Sequence, residues 1–383
     1  MNKEKKTEIL LVTGIFPPDI GGPATFARFF LDESEKYGIV ADLLTFTDDA
    51  EGVYKIDTVK ISRKGNIFLR YLRVFLAAWR LSKNKDVIYS LDVSSVGLPC
   101  LLVKMLRPKI KLFFRVGGDR HWEQAIEDGR FRDTLESYYR QRNFNSKERI
   151  SYFLMKRAFR RADEIIFNAQ IIADIFARHY EITEKKVHII RNFKDELILP
   201  RMRQEADEEI LLFFGGRLVA FKNILGFLKI FINIDFSEFG KDVVFQINGD
   251  GPEHDKIAEF IARNNLHGRV RLLPKVSRTE MLDLINRCNV FALPSLTEVN
   301  ANTVSEVLQL GQPILLTKFS ESFYIGEKNS NIFYINPFDD NDIEVQLKKA
   351  IAYSLLDKLK RENITSRASW SRDEIMRQHY ALF

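Results

Sequence analysis

The sequence has few cysteines and no long apolar run. Only Cys100 and Cys288 are present, far apart and in apolar surroundings. This spacing gives neither a disulfide framework nor a metal-ligand pair, so we expect two buried thiols in a reducing compartment. No run approaches the ~18 apolar residues of a membrane-spanning helix, and the charged N-terminus lacks an apolar stretch before a cleavage site. These absences predict a cytoplasmic protein.

Common cofactor and metal motifs are also missing. The glycine loop FPPDIGGP, residues 16–23, has the spacing of neither GxGxxG nor GxxxxGK[ST], which disfavours nicotinamide and P-loop chemistry. No Asp-x-Asp stands at a strand end as a metal platform, and the adjacent Asp339 and Asp340 are typical of a turn. The sequence therefore predicts chemistry without a bound cofactor or metal.

What the chain does contain is ample apolar material and an excess of positive charge. Hydrophobic residues make up 45% of 383 residues, a length beyond the ~100–200 usual for one domain, so two domains are expected. Lys and Arg number 58 against 52 Asp and Glu, which favours nucleotides, nucleic acids or acidic lipid surfaces as partners. A nucleic-acid binder ranks last, because zinc-ligand spacing and a reading helix are lacking.

Short apolar runs alternate with helix-length amphipathic stretches along the whole chain. The runs are residues 8–14, 86–90, 111–116, 164–168 and 187–191, then segments near Ile210, Val243, Val270, Val290 and Pro313. This alternation predicts an α/β fold with parallel sheets.

The polar segment between residues 199 and 209 is the expected linker between two doubly wound, Rossmann-like domains. The first domain, residues 1–204, is expected to bind the acceptor, and the second, residues 205–365, the nucleotide sugar. Residues 366–383 are expected to form a helix that crosses back to the first domain.

The loops after strands are the candidate binding loops, because ligands in open α/β sheets bind beyond the carboxyl ends of the strands. Gly21 and Gly22 would let the backbone approach a ligand, with Pro23 beginning a helix that faces an anion; a simple tight turn is the alternative. In GGRLVAFKN, residues 215–223, Arg217 and Lys222 could hold a diphosphate or simply face solvent. The turn INGDGP, residues 247–252, is interpreted as mainly structural.

A fourth loop, residues 294–313, carries two carboxylates. Seven residues separate Glu298, in the loop, from Glu306, in the following helix. Thr303 and Glu306 match a capping box, which would give Glu306 a purely structural role. Alternatively, amides near Asn302 and Thr303 attract phosphate while the carboxylates accept hydroxyl hydrogen bonds. A nucleotide sugar offers both kinds of group.

These segments together resemble retaining glycosyltransferase family 4, which has the GT-B fold of two Rossmann-like domains facing each other across a cleft. PSLTEVNANTVSEVLQLGQPILLT is similar to the E-x7-E signature and GGRLVAFKN to the donor-phosphate loop. FPPDIGGPATF, RRADEIIFNAQ and INGDGPEHDKI extend the likeness over nearly the whole chain. VGGDRHWEQA, residues 116–125, resembles the first-domain loop of members that act on polysaccharide or lipid-linked acceptors.

The resemblance implies roles for matching residues. Arg217 and Lys222 would bind the donor diphosphate, Glu298 the sugar hydroxyls and Glu306 the ribose. The implied catalytic residues are Glu298, Arg217, Lys222 and Asp119. The implied donor-binding residues are Gly21, Gly22, Gly216, Arg217, Lys222, Gly249, Lys275, Val276, Glu298, Asn302, Thr303 and Glu306, with Lys275 and Val276 beside the base.

The chain departs from the family pattern at two places. Gly117 stands where many members carry His, so Asp119 or His121 would have to fill that space. Residues 299–301, Val-Asn-Ala, replace a Gly-Phe-Gly run and make the donor loop bulkier. Weakened activity or an altered donor would follow.

The resemblance implies retaining, metal-independent transfer of a hexose-type sugar from a UDP- or GDP-sugar to a glycan or lipid-linked acceptor. The pathway would be the synthesis of cell-surface polysaccharide or glycolipid. Two alternatives stay open: a catalytically weakened, nucleotide-sugar-binding partner of another transferase, and a nucleotide-sugar epimerase.

Two regions are candidates for acceptor and membrane contact. Tyr138, Tyr139 and Arg142 lie where the family often contacts acceptors, although helix packing would explain each of them equally. Residues 70–83 and 106–111 mix apolar and basic side chains and could dock on an anionic membrane; core packing is the alternative. The protein would then be peripheral on the inner face of the cytoplasmic membrane.

Overall fold

The computed structural model describes residues 6–19, 21–46, 58–62, 64–193, 208–356 and 371–383. The chain divides into two compact units. Unit 1 comprises Met1–Gly118, Arg142–Phe193 and Trp370–Phe383, and unit 2 comprises Asp119–Gln141 and Lys194–Ser369. The domain boundaries expected at residues 204 and 365 lie outside the described residues.

Strands and helices alternate through both units. The strands are β1 Thr7–Thr13, β2 Ile39–Phe46, β3 Thr58–Ile61, β4 Val87–Ser90, β5 Lys111–Val116, β6 Glu164–Phe167, β7 Val187–Ile189, β8 Glu209–Gly215, β9 Asp242–Asn248, β10 Val270–Leu273, β11 Val290–Leu293, β12 Ile314–Thr317 and β13 Ile332–Ile335. The helices are α1 Gly22–Glu33, α2 Ile67–Leu81, α3 Gly97–Leu106, α4 Arg120–Glu127, α5 Leu135–Gln141, α6 Ser146–Arg161, α7 Gln170–Tyr180, α8 Ile224–Phe231, α9 His254–Arg263, α10 Arg278–Arg287, α11 Asn302–Gln309, α12 Glu321–Tyr324, α13 Asp340–Ser354 and α14 Arg372–Tyr380.

Each unit is built on one parallel sheet. The strand order is β3-β2-β1-β4-β5-β6-β7 in unit 1 and β10-β9-β8-β11-β12-β13 in unit 2. In unit 1, Ile9 of β1 pairs with Ala41 on one side and Val87 on the other. A strand with neighbours on both edges and helices on both faces must be apolar along its length, which explains the run in β1. The predicted α/β class with parallel sheets is confirmed.

Three strands were not predicted from the sequence: β2, β3 and β13. Asp42 interrupts the apolar run of β2, and the structure compensates this charge by placing Lys85 Nζ 2.9 Å from its carboxylate. β3 and β13 are only four residues long and lie at the sheet edges. Short edge strands carry a weak periodic signal because only part of their surface is buried.

The C-terminal helix α14 belongs to unit 1. His379 packs against Phe26 with ring centroids 4.8 Å apart, and its Nε2 lies 2.8 Å from a guanidinium nitrogen of Arg115. Burial, reinforced by the Arg115 cation, holds the pKa of His379 well below its ordinary value. The imidazole is therefore neutral, which lets it lie beside a buried arginine without like-charge repulsion.

Other local predictions had mixed outcomes. Pro23 lies in the first turn of α1, which begins one residue before the predicted start, at Gly22. Cys100 and Cys288 are buried free thiols. The capping box of Thr303 and Glu306 is wrong: the N-cap of α11 is Ala301, two residues before Thr303, and no side chain caps the helix. Among the described helices, none is both long and apolar enough to cross a bilayer.

Candidate active site

A buried ion pair joins two loops of unit 2. Lys222 ends a short 3-10 helix, Ala220–Lys222, that follows β8, and Glu298 follows β11. Lys222 Nζ lies 2.5 Å from Glu298 Oε2, and the Ser295 hydroxyl donates to the same oxygen at 2.9 Å. Because β8 and β11 are neighbouring parallel strands, their carboxyl ends bring these distant residues together. Only 13% and 8% of the Lys222 and Glu298 side chains are exposed.

Backbone hydrogen bonds hold this pair in place. The Glu298 N–H donates to the Phe319 carbonyl at 2.9 Å, and the Glu298 carbonyl accepts from the Glu321 N–H at 3.0 Å. The Leu296 N–H donates to the Phe221 carbonyl at 2.8 Å, which ties the loop after β11 to the loop after β8. Loop residues fixed by such bonds are preorganised to meet a charged ligand.

The loop after β8 crosses the turn after β9 at very close range. The Gly216 N–H donates to Asn248 at 3.0 Å and the Leu218 N–H to Asp250 at 2.9 Å. Gly249 has φ +153°, and a Cβ there would lie 1.8 Å from the Gly216 carbonyl oxygen. Glycine at 249 is thus required by backbone packing, so the structural interpretation of this turn holds. Backbone packing alone explains why residue 249 is glycine, and contact with a donor is not needed to explain it.

A segment from the first half of the sequence completes unit 2. The Ala220 N–H donates to the Glu127 carboxylate at 3.0 Å, and the Trp122 ring packs on Phe221 with centroids 5.4 Å apart. At the start of α5, the Leu135 N–H donates to Thr297 Oγ1 at 3.0 Å. The helices α4 and α5 are therefore fastened to both loops that carry the Lys222–Glu298 pair.

Glu123 on α4 is the residue that sequence reasoning missed. Burial raises its pKa to about 7; the nearby Asp119 and Glu298 carboxylates also raise it, while Arg217 and Lys222 oppose them. The carboxyl is therefore partly protonated near neutral pH, unlike an ordinary glutamate. A usable sequence signal existed: Glu123 and Glu127 lie four residues apart and so share the helix face that meets the donor loop.

Asp119 serves as the N-cap of α4. It is buried, accepts a hydrogen bond from the Trp122 N–H at 2.8 Å, and accepts another from the Tyr139 hydroxyl. Both of its oxygens are thus engaged in holding α4 and α5 together, and its charge acts on Glu123.

The three predicted acceptor residues have different surroundings. Tyr138 and Tyr139 are 2% and 1% exposed and pack edge to face, with ring centroids 5.5 Å apart. Their burial favours the packing alternative over acceptor contact, since neither ring presents a surface. Arg142 is exposed, belongs to unit 1, and lies over the Tyr152 ring at 5.7 Å.

Glu306 has a partner that the sequence did not indicate. Arg278, at the start of α10, lies 2.7 Å from its carboxylate and is 62% exposed, so the arginine can swing away. Lys275 and Val276 precede α10 in the same loop. Asn302 and Thr303 occupy the first two positions of α11.

The remaining predicted residues differ in setting. Arg217 is exposed beside Gly216 in unit 2. Gly21 and Gly22 precede and begin α1 in unit 1, and a Cβ on Gly22 would meet no atom within 4 Å. A Cβ on Gly117 would lie 2.9 Å from Asn168 Nδ2, so a side chain there requires Asn168 to move. The described residues contain no cluster of three His, Cys, Asp or Glu arranged for a metal ion.

Comparison with known proteins places this geometry in a class. Residues 198–369 match the family model described as glycosyl transferases group 1. A sucrose synthase from Thermosynechococcus vestitus is 30% identical over 148 residues, which cover 35% of this chain and 18% of that protein. The chain spans less than half the length of the curated relatives it matches.

Solved structures are similar over the whole chain. A sucrose-phosphate synthase from Thermosynechococcus elongatus superposes with a TM-score of 0.72 at 15% identity, covering 98% of both chains. Anabaena HepE, solved in complex with UDP, superposes with a TM-score of 0.65 at 16% identity, covering 98% of this chain and 99% of that one. These superpositions show that the chain has the GT-B fold.

Proposed function

We propose that this protein is a retaining, metal-independent glycosyltransferase. It transfers a hexose-type sugar from a nucleotide-sugar donor, UDP- or GDP-linked, to a glycan or lipid-linked acceptor in cell-surface polysaccharide or glycolipid synthesis. The reaction takes place at the inner face of the cytoplasmic membrane, and the E-x7-E glutamates of family 4 correspond to Glu298 and Glu306.

The observation that carries the proposal is the buried Lys222–Glu298 pair at the ends of β8 and β11. A lysine held in a partly buried site interacts strongly with a phosphate oxygen, because the local dielectric constant is lower than that of water. Arg217 stands on the same loop, so two cations are available for the charge that develops on the departing diphosphate. These cations take the role that a metal ion has in other transferases.

Each chemical step has a residue assigned to it. The bond between the sugar C1 and the β-phosphate oxygen breaks, Lys222 and Arg217 stabilise the departing oxygen, and the acceptor oxygen bonds to C1 on the same face. The acceptor proton passes to the leaving phosphate. Glu298 accepts hydrogen bonds from the sugar hydroxyls, and Glu306 accepts those of the ribose once Arg278 has moved. Amides of Asn302 and Thr303 contact phosphate.

The test is release of nucleoside diphosphate from a panel of UDP-, GDP- and ADP-sugars. EDTA and a mixed lipid-linked acceptor fraction are present throughout. Release that depends on the acceptor, with one donor preferred, is the expected result. Donor binding without release would point instead to a nucleotide-sugar-binding partner of another transferase. Conversion of the donor without any acceptor would point to an epimerase.

The unusual carboxyl of Glu123 gives a second, independent test. A bound diphosphate neutralises Arg217 and Lys222, the two cations that hold the pKa of Glu123 down, so that pKa should rise further. We expect UDP binding near pH 7.5 to take up about half a proton, given a starting value of about 7. Calorimetry in buffers of different ionisation enthalpy measures this uptake.

Glu123→Gln should abolish the proton uptake, whereas Glu259→Gln on the exposed face of α9 should leave it unchanged. A raised pKa in the folded state also means that folding binds a proton between about pH 4.5 and 7, so stability falls as pH rises through that window. Glu123→Gln should remove this part of the fall in thermal scans at pH 5.5 and 8. Equal uptake by both variants would exclude Glu123 as the proton carrier.

A further inference from the structure

The exposed apolar side chains of unit 1 are confined to three neighbouring helices. Its described residues include eleven large hydrophobic side chains classed as exposed, and all eleven lie on α2, α3 or α6. They are Ile67, Phe68, Leu69, Leu72 and Leu76 on α2, Leu102, Met105 and Leu106 on α3, and Ile150, Phe153 and Leu154 on α6. We call them the apolar face. Scattered surface hydrophobics need no explanation, but complete segregation to one region does.

Sheet topology places these helices side by side. They make successive connections, from β3 to β4, from β4 to β5 and from β5 to β6, and right-handed crossovers put such helices on one face of the sheet. Contacts between α2 and α3 and between α3 and α6 confirm the order α2-α3-α6. The Arg107 guanidinium, just after α3, lies 3.9 Å from the centre of the Trp79 ring of α2, a contact that joins α2 and α3.

Within each helix the apolar face is a stripe. Phe68, Leu72 and Leu76 recur every four residues along α2, opposite the buried Val74 and Ala78. Phe75 and Trp79 also belong to the segment predicted to dock on a membrane, residues 70–83, but their rings are half-buried and stack on each other. Only part of the apolar material of that segment therefore faces outward, including Leu72 and Leu76.

Positive charge surrounds the apolar face. The cations are Arg70, Arg73 and Arg80 on α2, Lys104 on α3, and Lys147, Arg149, Lys156, Arg157, Arg160 and Arg161 on α6. The only acidic residue on the three helices is Glu148, which is buried in the capping box of α6. Arg157 lies 5.3 Å above the exposed Phe153 ring, so charge and apolar surface meet directly.

We infer that the α2-α3-α6 face of unit 1 docks on an anionic lipid bilayer. Apolar side chains enter the region between headgroups and acyl chains while lysines and arginines contact the lipid phosphates. A second copy of this chain is a poorer occupant, because pairing this face with itself would oppose mostly cations. Acidic partners stand beside Lys104, which pairs with Asp163, and beside Lys156 and Arg160, which pair with Glu181. The inference rests on the proposed function in one respect: docking would bring the protein to a lipid-linked acceptor in the membrane.

Vesicle binding tests the inference without any donor or acceptor. The full chain is sedimented with vesicles of phosphatidylcholine alone, or with about 30% phosphatidylglycerol, at low and high salt. We expect binding only to the anionic vesicles, weakened at high salt because the Debye length falls from about 10 Å to about 3 Å between 0.1 and 1 M. Absence of binding by the unchanged protein would overturn the inference.

Two sets of variants locate the surface. The triple change Phe68→Ser, Leu72→Ser and Leu76→Ser should weaken binding more than about tenfold, since each removes an apolar anchor. Arg80→Gln with Arg157→Gln should weaken it about 25-fold, at about fivefold per charge. A matched control, Val345→Ser with Leu355→Ser, changes exposed apolar residues of unit 2 and should have no effect.

The remaining outcomes are also decisive. Circular dichroism and thermal scans check that the variants fold, which exposed positions should permit. If the unchanged protein is a dimer that the triple variant converts to a monomer, the face is a protein interface and the lipid inference is wrong. Donor turnover is assayed separately, in detergent. A variant that loses vesicle binding but keeps turnover shows that the apolar face acts in membrane docking alone. Loss of turnover would instead bear on the proposed function.

Discussion

Lys222→Ala should lower kcat/KM for release of nucleoside diphosphate by about 10³-fold, the scale expected when one preorganised group is removed from developing negative charge. In the resting structure Lys222 Nζ is 2.5 Å from Glu298 and only 13% of the side chain is exposed. Water cannot replace a cation in such a site without losing most of the interaction. Steady-state kinetics with the preferred donor gives the value.

The same change should also weaken the fold, because it leaves Glu298 buried with only the Ser295 hydroxyl as a partner. Removing one member of a buried pair costs about 3–5 kcal/mol, whereas replacing both members with neutral groups is often nearly neutral. Lys222→Met combined with Glu298→Gln should therefore recover stability but not turnover.

Lys229→Ala is the matched control, since Lys229 is exposed on α8 of the same unit. It should change neither stability nor turnover. If Lys222→Ala retained turnover within about threefold of the unchanged protein, stabilisation of the diphosphate by this lysine would be excluded.

Gly249→Ala should be the most destabilising single-methyl change in unit 2. The added Cβ would overlap the Gly216 carbonyl oxygen at 1.8 Å, and the backbone at φ +153° disfavours any side chain. The loop carrying Arg217 and Lys222 would have to move away. We expect a loss of about 3 kcal/mol or more, which lowers the melting temperature by roughly 10 °C.

Gly268→Ala provides the comparison, because a Cβ at that position meets no atom within 4 Å. Its melting temperature should stay within about 2 °C of the unchanged protein. Donor turnover should fall with Gly249→Ala even at temperatures where the variant is folded, since the displaced loop holds Arg217 and Lys222, the cations proposed to bind the diphosphate. Unchanged turnover would show that the crossing of the two loops has no role in positioning them.

The chemistry of the site could be predicted from the sequence only where a motif and a strand end coincide. Lys222 and Glu298 follow apolar runs that form strands, and parallel strands bring the loops at their carboxyl ends to one edge of the sheet. That these two residues lie near each other could therefore be predicted, although their direct ion pair could not. The raised pKa of Glu123 was not predictable, because it depends on four charged residues that lie from 4 to 175 positions away. Arg278 was missed for the same reason, since nothing local marks it as the partner of Glu306.

Which aromatic and apolar side chains are buried could likewise be learned only from the structure. Tyr138 and Tyr139 look like surface aromatics in a charged segment, yet both are buried: their rings pack on each other, and the Tyr139 hydroxyl donates to Asp119. On α2 the sequence shows an amphipathic helix, but which apolar side chains turn outward depends on the neighbours that cover Val74 and Ala78.

By itself, then, the sequence determined the α/β class, the parallel sheets and the loops that carry Arg217, Lys222 and Glu298, because periodicity and turn chemistry are local properties of the chain. Tertiary structure alone decided the transfer of residues 119–141 to unit 2, the raised pKa of Glu123 and the composition of the apolar face. Those features arise from burial and from the field of charges distant in sequence, which no local pattern encodes.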